Sequence, residues 1–184
     1  PLASMPDAAQ VVARCATVHA RDALYAELAT IGPEFGPSFR AIERLFTGPG
    51  EAWAEIRATA AVEAGAAGMR FHPALLDACF QSVAGALGAL GQGAAGKVYV
   101  PVGIDRITFC APPSGVLRVQ ATASHAAAGA ATVDLRAWDA DGRLVLFVEG
   151  FRARAAGREQ HDADAVARRR ERVVRGHAAC RDAG

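Results

Sequence analysis

Residues 73–87 read as one long apolar helix, and most of the chain on either side of it reads as strands. Pro73 suits the first turn of that helix. A single carboxylate, Asp77, lies inside the run His72-Pro73-Ala74-Leu75-Leu76-Asp77-Ala78-Cys79-Phe80-Gln81, and an amide, Gln81, follows four residues later. Positions i and i+4 share a helix face, so Gln81 can reach the Asp77 carboxyl and hold it in one orientation. Leu75, Leu76, Ala78 and Phe80 surround the pair with apolar side chains. A carboxyl taken out of water either costs stability or serves chemistry. The structural alternatives are an early-helix Asp that favours the dipole and a partly exposed helical Gln.

The remaining pattern is simple. Residues 19–31 read as a helix, with Leu24, Leu28 and Ile31 at helical spacing, Tyr25 beside them and Gly32-Pro33 as its stop. The stretch Gly32–Pro37 must be extended or turned, because residues before proline avoid the α region. Residues 39–47 and 51–60 look like strands joined by the turn Gly48-Pro49-Gly50. After the helix comes a Gly-rich loop to about residue 96, then strands near 98–110, 115–124, 131–138 and 143–155. Val133, Leu135 and Ala137 alternate with Asp134, Arg136 and Trp138, and Asp141-Gly142 supplies a turn. Periodicity alone gives an α+β class with an antiparallel sheet. Residues 1–18 are expected to be a linker or the truncated edge of a preceding region, and 157–184 a charged linker or tail.

Bulk properties exclude several functions. A length of 184 residues, 52% of them hydrophobic and 21% charged, fits one globular domain with a real core. The tail from residue 158 carries seven Arg against five acids; the body carries 13 basic residues against 14 acidic ones. The body therefore lacks the basic face of a nucleic-acid binder. The Arg-rich tail reads as a solvated linker or as a contact for RNA or an acidic partner. Nineteen of the twenty basic residues are Arg, a bias that fits a high-GC bacterial genome. The four cysteines form no Cys-x-x-Cys pair and no leader-like segment precedes them, so reduced thiols in a cytoplasmic protein are expected. Residues 83–96 are too short and too weakly apolar to span a membrane. The set Asp139-Ala140-Asp141-Gly142 lacks the later ligands of a calcium loop and reads as a hairpin turn. No zinc spacing, nucleophile elbow or P-loop is present.

Three segments, in order, resemble the dehydratase domains of polyketide synthases. The run from His72 to Gln81 is similar to the family's His-Pro-x-Leu-Leu-Asp-Ala signature with its Asp-x-x-x-Gln pair. Upstream, Gly32-Pro33-Glu34-Phe35-Gly36-Pro37-Ser38-Phe39 resembles the Tyr-Gly-Pro-x-Phe segment. Downstream, Tyr99–Ile107 resembles the proline-containing strand. The resemblance covers roughly residues 19–156 and implies a hotdog fold, an antiparallel sheet wrapped around a central helix, as one half of a double hotdog.

The resemblance also implies an activity. Such domains remove water from a 3-hydroxyacyl thioester held on an acyl carrier protein and leave an α,β-unsaturated thioester. A His within His-x-x-x-Gly-x-x-x-x-Pro is the base and the Asp is the acid, so Asp77 and Gln81 are the implied catalytic pair. An acid must hold its proton near neutrality; desolvation favours that and the positive end of a helix opposes it. Phe35, Gly36, Pro37, Phe39, Pro101 and Val102 are the implied substrate-binding residues, with core packing an equal reading for Pro101 and Val102. Phe35 stands where many members carry Tyr, so a hydroxyl contact is lost. His72 reads as a structural or capping residue. No metal or organic cofactor is implied, since the phosphopantetheine arm belongs to the carrier protein.

The base is missing. Of the five histidines only His125 begins the pattern, with Gly129 four residues on, but Asp134 stands where proline is required. It also follows the Asp segment, in an Ala/Gly-rich connection between two strands. The chain therefore resembles the C-terminal hotdog half alone, and by itself is expected to be inactive. Expected partners are an N-terminal dehydratase half, an acyl carrier protein and other polyketide synthase domains, or a second copy as a homodimer; nucleic acid and membrane are not expected. The alternatives are a non-catalytic hotdog that binds acyl chains or scaffolds an assembly, and a homodimeric hotdog thioesterase in which Asp77 activates water.

Overall fold

The computed structural model describes residues 4–31, 34–90, 98–127 and 129–156. The elements are α1 (Ala8–Arg14), β1 (Thr17–Ala20), α2 (Arg21–Ile31), a 3-10 turn (Pro37–Phe39), β2 (Ile42–Gly48), β3 (Glu51–Ile56), α3 (Ala60–Gly65), α4 (Pro73–Ala86), β4 (Val98–Phe109), β5 (Leu117–Ala127), β6 (Ala130–Trp138) and β7 (Leu144–Ala156). Among the described residues the strands form one seven-stranded antiparallel sheet in the order β1-β2-β3-β5-β6-β7-β4. This is the hotdog fold, with α4 packed across β2, β3, β5 and β6.

The central helix forms where expected because its start is well specified. The His72 Nδ1 accepts from the Ala74 backbone N–H at 3.1 Å, which satisfies one of the orphan donors of the first turn, and Pro73 follows at the first helical position. The helix is apolar almost all round: Ala74, Leu75, Ala78, Cys79, Val83 and Ala86 are buried. A helix of that kind must be covered on several sides. The inward residues of the strands do so, among them Leu45, Ala52, Ala54, Val119, Ala121, Val133, Leu135 and Val148. Along β6 the buried Ala131, Val133, Leu135 and Ala137 alternate with half-buried Thr132, Asp134 and Arg136, the period-2 signature of a sheet packed on one face.

The opposite face of the sheet carries a second, smaller core. Phe46, Trp53, Trp138 and Leu144 pack there with Val11 and Cys15, which come from α1 and its end. The Trp53 and Trp138 rings stack with centroids 6.2 Å apart. Arg14 fastens α1 to β3 through two bonds to the Glu51 carboxylate, each 3.0 Å, and Gln120 adds a third at 2.7 Å. The hydrogen bonds from Arg14 hold Glu51 below its ordinary carboxylate range despite partial burial.

Several expectations change. Residues 8–18 are not a bare linker: they make α1 and the start of β1, because Val11 and Cys15 cover the stacked tryptophans. His19 and Ala20 lie in β1 rather than in the following helix. The strand after Gly50 stops at Ile56, and α3, capped by Thr59, follows. His125 is in β5 opposite Thr132 rather than in a connection. Pro101 and Val102 are exposed on edge strand β4 and are not core. Proline suits that place, since an edge strand tolerates a missing N–H, and the register shifts between Pro101 and Gly103. The Asp139–Gly142 segment is a hairpin turn. The Asp139 carboxylate accepts from the backbone N–H groups of Asp141 and Arg143 and from the Arg143 guanidinium, at 2.8–3.1 Å. Residues 91–97, which hold most of the expected Gly-rich loop, and the tail from 157 lie outside the described residues.

Gly85 sets how closely α4 approaches the sheet. A Cβ there would stand 2.7 Å from Thr47 Cγ2, 3.1 Å from Leu45 Cδ2 and 3.2 Å from Ala52 Cβ. Gly85→Ala gains about 1 kcal/mol of helix propensity but overpacks this contact, at a cost of about 1–3 kcal/mol. The expected outcome in urea unfolding is a net loss of stability, partly restored by Thr47→Ser. A Gly85→Ala protein more stable than the parent would refute the close approach.

Candidate active site

Asp77 and Gln81 sit on one face of α4, and the Gln81 Nε2 donates to Asp77 Oδ2 at 2.7 Å. Asp77 is half-buried, not sealed in the core, whereas Gln81 is only 8% exposed. A buried amide must satisfy both of its ends. The second Nε2 hydrogen goes to the Phe39 carbonyl at 3.0 Å, and Gln81 Oε1 accepts from the Tyr25 hydroxyl at 2.9 Å. The Tyr25 oxygen accepts in turn from the Ile42 backbone N–H at 3.1 Å, and its hydroxyl also lies 3.2 Å from the Phe39 carbonyl. Among the described residues no buried side-chain nitrogen or oxygen is left without a partner.

Four parts of the sequence build this cluster. Gly36 and Pro37 open the 3-10 turn, closed by Phe39 N–H to Gly36 O at 2.9 Å, and the turn brings the Phe39 carbonyl over Gln81. Helix α2 brings Tyr25, β2 brings the Ile42 N–H, and α4 brings the catalytic candidates. The Phe35 ring meets Tyr25 edge-on at 6.0 Å, and the Arg40 guanidinium lies 5.7 Å from the Tyr25 ring centre. Arg40 Nε also donates to the Phe35 carbonyl at 2.8 Å. Burial pushes the Tyr25 hydroxyl up to about 12, and the nearby Asp77 adds to the rise; the Ile42 N–H, Arg21 and Arg40 act against it. Burial, then Asp77, likewise pushes the Cys79 thiol up to about 12, which leaves it inert as a nucleophile.

The other expected site residues are placed unevenly. Phe35 is half-buried against the core. Gly36 and Pro37 are exposed, and Phe39 is 41% exposed, contributing its carbonyl rather than its ring to the polar cluster. Pro101 and Val102, the latter 61% exposed, stand on the opposite edge of the sheet from β1, outside this cluster. His72 caps α4. Tyr25 is the residue that sequence reasoning placed on an apolar helix face without a polar role. Its signal was its own chemistry, since a buried tyrosine hydroxyl finds a partner. An open cleft of about 260 Å³ lies elsewhere, between Thr17 and Thr47 and the C-terminal end of α4 at Gly85 and Gly88. Among the described residues no group of three or more His, Cys, Asp or Glu side chains could hold a metal, and no helix is long and apolar enough to cross a membrane.

The family model described as "Polyketide synthase dehydratase N-terminal domain" matches residues 3–163. The chain belongs to the polyketide synthase dehydratase family. It is 37% identical over 133 residues to erythronolide synthase EryA2 of Saccharopolyspora erythraea, a match over 72% of this chain and 3% of that protein. It is 36% identical over 132 residues to the pikromycin polyketide synthase component PikAII of Streptomyces venezuelae, over 71% and 3%. Among solved structures, the dehydratase domain from the CurJ module of curacin polyketide synthase superposes with a TM-score of 0.73 at 26% identity, covering 87% of this chain and 57% of that one. The chain thus spans just over half of that solved dehydratase domain and a few per cent of each synthase.

The Tyr25 hydroxyl gives a pH-dependent test of the cluster. Its folded value lies above the ordinary value of 10, so its contribution to stability is complete below pH 10 and is lost as pH rises toward about 12. Tyr25→Phe is expected to be less stable than the parent at pH 9, with the gap in urea midpoint closing toward pH 12. A gap that does not change with pH would show that the hydroxyl is not held un-ionised.

Proposed function

We propose that this chain is the C-terminal hotdog half of a polyketide synthase dehydratase and that Asp77 is its acid. The observation that carries the reading is the Asp77 carboxyl held by the buried amide of Gln81 at 2.7 Å, on the apolar helix of a hotdog fold. The assignment to the second half rests on the Asp-x-x-x-Gln pair and on the lack of His-x-x-x-Gly-x-x-x-x-Pro within these 184 residues. It stands beside a family model whose description names an N-terminal domain.

The substrate is a 3-hydroxyacyl thioester on the phosphopantetheine of an acyl carrier protein. A His of the first hotdog half takes the proton from the carbon next to the thioester carbonyl. The electron pair of that C–H bond forms the new double bond, and the bond from the next carbon to its hydroxyl breaks. Asp77 gives its proton to the departing oxygen, so water leaves and Asp77 remains as a carboxylate. In this reading Oδ2 accepts from Gln81 and the proton given up is the one on Oδ1. Atoms and electrons balance without a metal or an organic cofactor. Crystal structures of inactive mutants of the CurJ and CurK dehydratases each carry a His changed to Phe. Those mutants support the need for a histidine, and this chain has no His-x-x-x-Gly-x-x-x-x-Pro segment to supply it.

In this reading residues 19–156 are the hotdog, and Phe35, Gly36, Pro37 and Phe39 wall the acyl chain near Asp77. Pro101 and Val102 add to the wall on the strand edge, where their exposure leaves them open to substrate or to the first half. Partners are the first hotdog half, an acyl carrier protein and neighbouring synthase domains. Residues 157–184 are a charged linker or tail.

The test is water loss from a 3-hydroxyacyl thioester, followed by mass. The expected result is no turnover by this chain alone, turnover with a first-half hotdog added, and a fall of about 10²-fold or more for Asp77→Asn in the mixture. Turnover by the chain alone would overturn the missing-base argument. Thioester binding without turnover in any mixture would replace the reading with a non-catalytic acyl-binding hotdog, for which the missing histidine speaks. Hydrolysis of the thioester by this chain would replace it with a thioesterase.

A further inference from the structure

We propose that Tyr25 is a positioning residue for the acid: its hydroxyl fixes which end of the Gln81 amide faces Asp77, and so keeps Asp77 Oδ2 as an acceptor and leaves Oδ1 to carry the proton. The effect on turnover rests on the dehydratase reading above; the hydrogen-bond role does not.

A primary amide has two ends of nearly equal size, and a half-turn about its last bond exchanges them. With Oε1 turned toward Asp77, Oδ2 would have to carry the proton as a donor to keep the tether, and Oδ1 would be left without it. The surrounding groups prevent that exchange. The Ile42 backbone N–H donates to the Tyr25 oxygen at 3.1 Å, which obliges the one hydroxyl proton to point away from β2. It points to Gln81 Oε1 at 2.9 Å, with the Phe39 carbonyl at 3.2 Å. The Phe39 carbonyl accepts only, and it takes one Nε2 hydrogen of Gln81 at 3.0 Å. The other hydrogen is then left for Asp77 Oδ2 at 2.7 Å.

The result is a one-way chain of donors from the Ile42 N–H through Tyr25 and Gln81 to Asp77. Backbone groups of β2 and the 3-10 turn hold it in place. Bonds aligned in this way polarise one another, and burial strengthens each of them. Tyr25 is 3% exposed and Gln81 8%, so water does not compete for these positions. The tyrosine ring is held by Phe35 at its edge and by Arg40 over its face. The charged groups acting on its hydroxyl are Arg21, Arg40 and Asp77. Tyr25 touches no reacting atom in this arrangement; it acts through Gln81.

The test uses the full 184-residue chain in two forms, Tyr25→Phe and 3-fluorotyrosine at position 25. The fluorinated ring keeps the hydroxyl and ionises at a lower pH than tyrosine. The first readout is the Gln81 side-chain NH2 signal in 1H–15N NMR, which needs no activity. In Tyr25→Phe its protons are expected to exchange about tenfold faster while the backbone amides of α4 keep their protection. With fluorotyrosine the Gln81 signals are expected to shift as pH crosses the midpoint of the hydroxyl, below the range where Cys79 titrates. The second readout is turnover with a first-half hotdog added. Tyr25→Phe is expected to lower kcat about 10- to 100-fold with KM unchanged within twofold, and fluorotyrosine to lose kcat at the midpoint seen by NMR. Gln81 signals unchanged in Tyr25→Phe, with α4 intact, would overturn the proposal. If α4 loses protection in that variant, fluorotyrosine decides, and Gln81 signals blind to its ionisation would overturn it. If the parent mixture does not turn over, the dehydratase reading fails while the Gln81 signals still decide the role of Tyr25.

Discussion

Helix α4 approaches β2 and β3 so closely at Gly85 that an added Cβ would crowd the side chains of Thr47, Leu45 and Ala52, and the packing of this helix on the sheet organises the main core of the domain. The helix buries residues on nearly every side, which no single flat face could cover. A sheet wrapped from β2 through β6 does cover it, with small residues such as Ala52, Ala54, Ala121 and Ala137 where the helix comes near. Each strand contributes alternate side chains to this surface, so its register is set by which residues must face α4. The helix and the sheet therefore specify each other.

Into this apolar setting the fold brings one polar cluster, and it is complete. Gln81 lies too deep to be solvated, so its amide must be satisfied by protein groups. The Phe39 carbonyl is available because Pro37 starts a tight turn and β2 begins only at Ile42. The Ile42 N–H is available to Tyr25 at the start of that strand. A tight turn between two elements has become the support of a carboxyl on a third. The same apolar surroundings strengthen each bond of the cluster and make a missing partner costly.

The outer face of the sheet shows how the sequence handles a layer with only partial cover. Trp53 lies between Ala52 and Ala54, so it points away from α4, and it is buried all the same by α1 and by Trp138. The Arg14–Glu51 pair holds α1 over these rings from a half-exposed position. At the two ends of the sheet, β1 and β4 leave edges. The β4 edge carries Pro101 and a register shift, both of which discourage uncontrolled pairing. Val18 and Val102 are exposed on these edges, at 55% and 61%. That exposure fits a domain whose edges meet another surface.

The central helix, the strands after it and the pairing of Asp77 with Gln81 are legible in the sequence, because each depends on local spacing. A 3.6-residue period puts i and i+4 together whatever the rest of the chain does. Period-2 alternation in β6 is just as local. The place of Tyr25 was not legible in this way. Fifty-six residues separate it from Gln81, and only the packing of α2 against β2 brings its hydroxyl to the amide. The 3-10 turn at Phe39 was hidden for the same reason, since its value lies in a carbonyl that any residue would carry. Helix α1 falls in a stretch that reads as a linker or a truncated edge, because seven residues with one buried valine carry little periodic signal; stacked tryptophans from two distant strands supply the reason for it to fold there. Pro101 and Val102 show the limit from the other side, since their sequence leaves a tunnel wall and core packing both open until the strand order puts β4 at an edge. Spacing decides what lies on one element, whereas long-range packing decides which buried polar groups meet across elements.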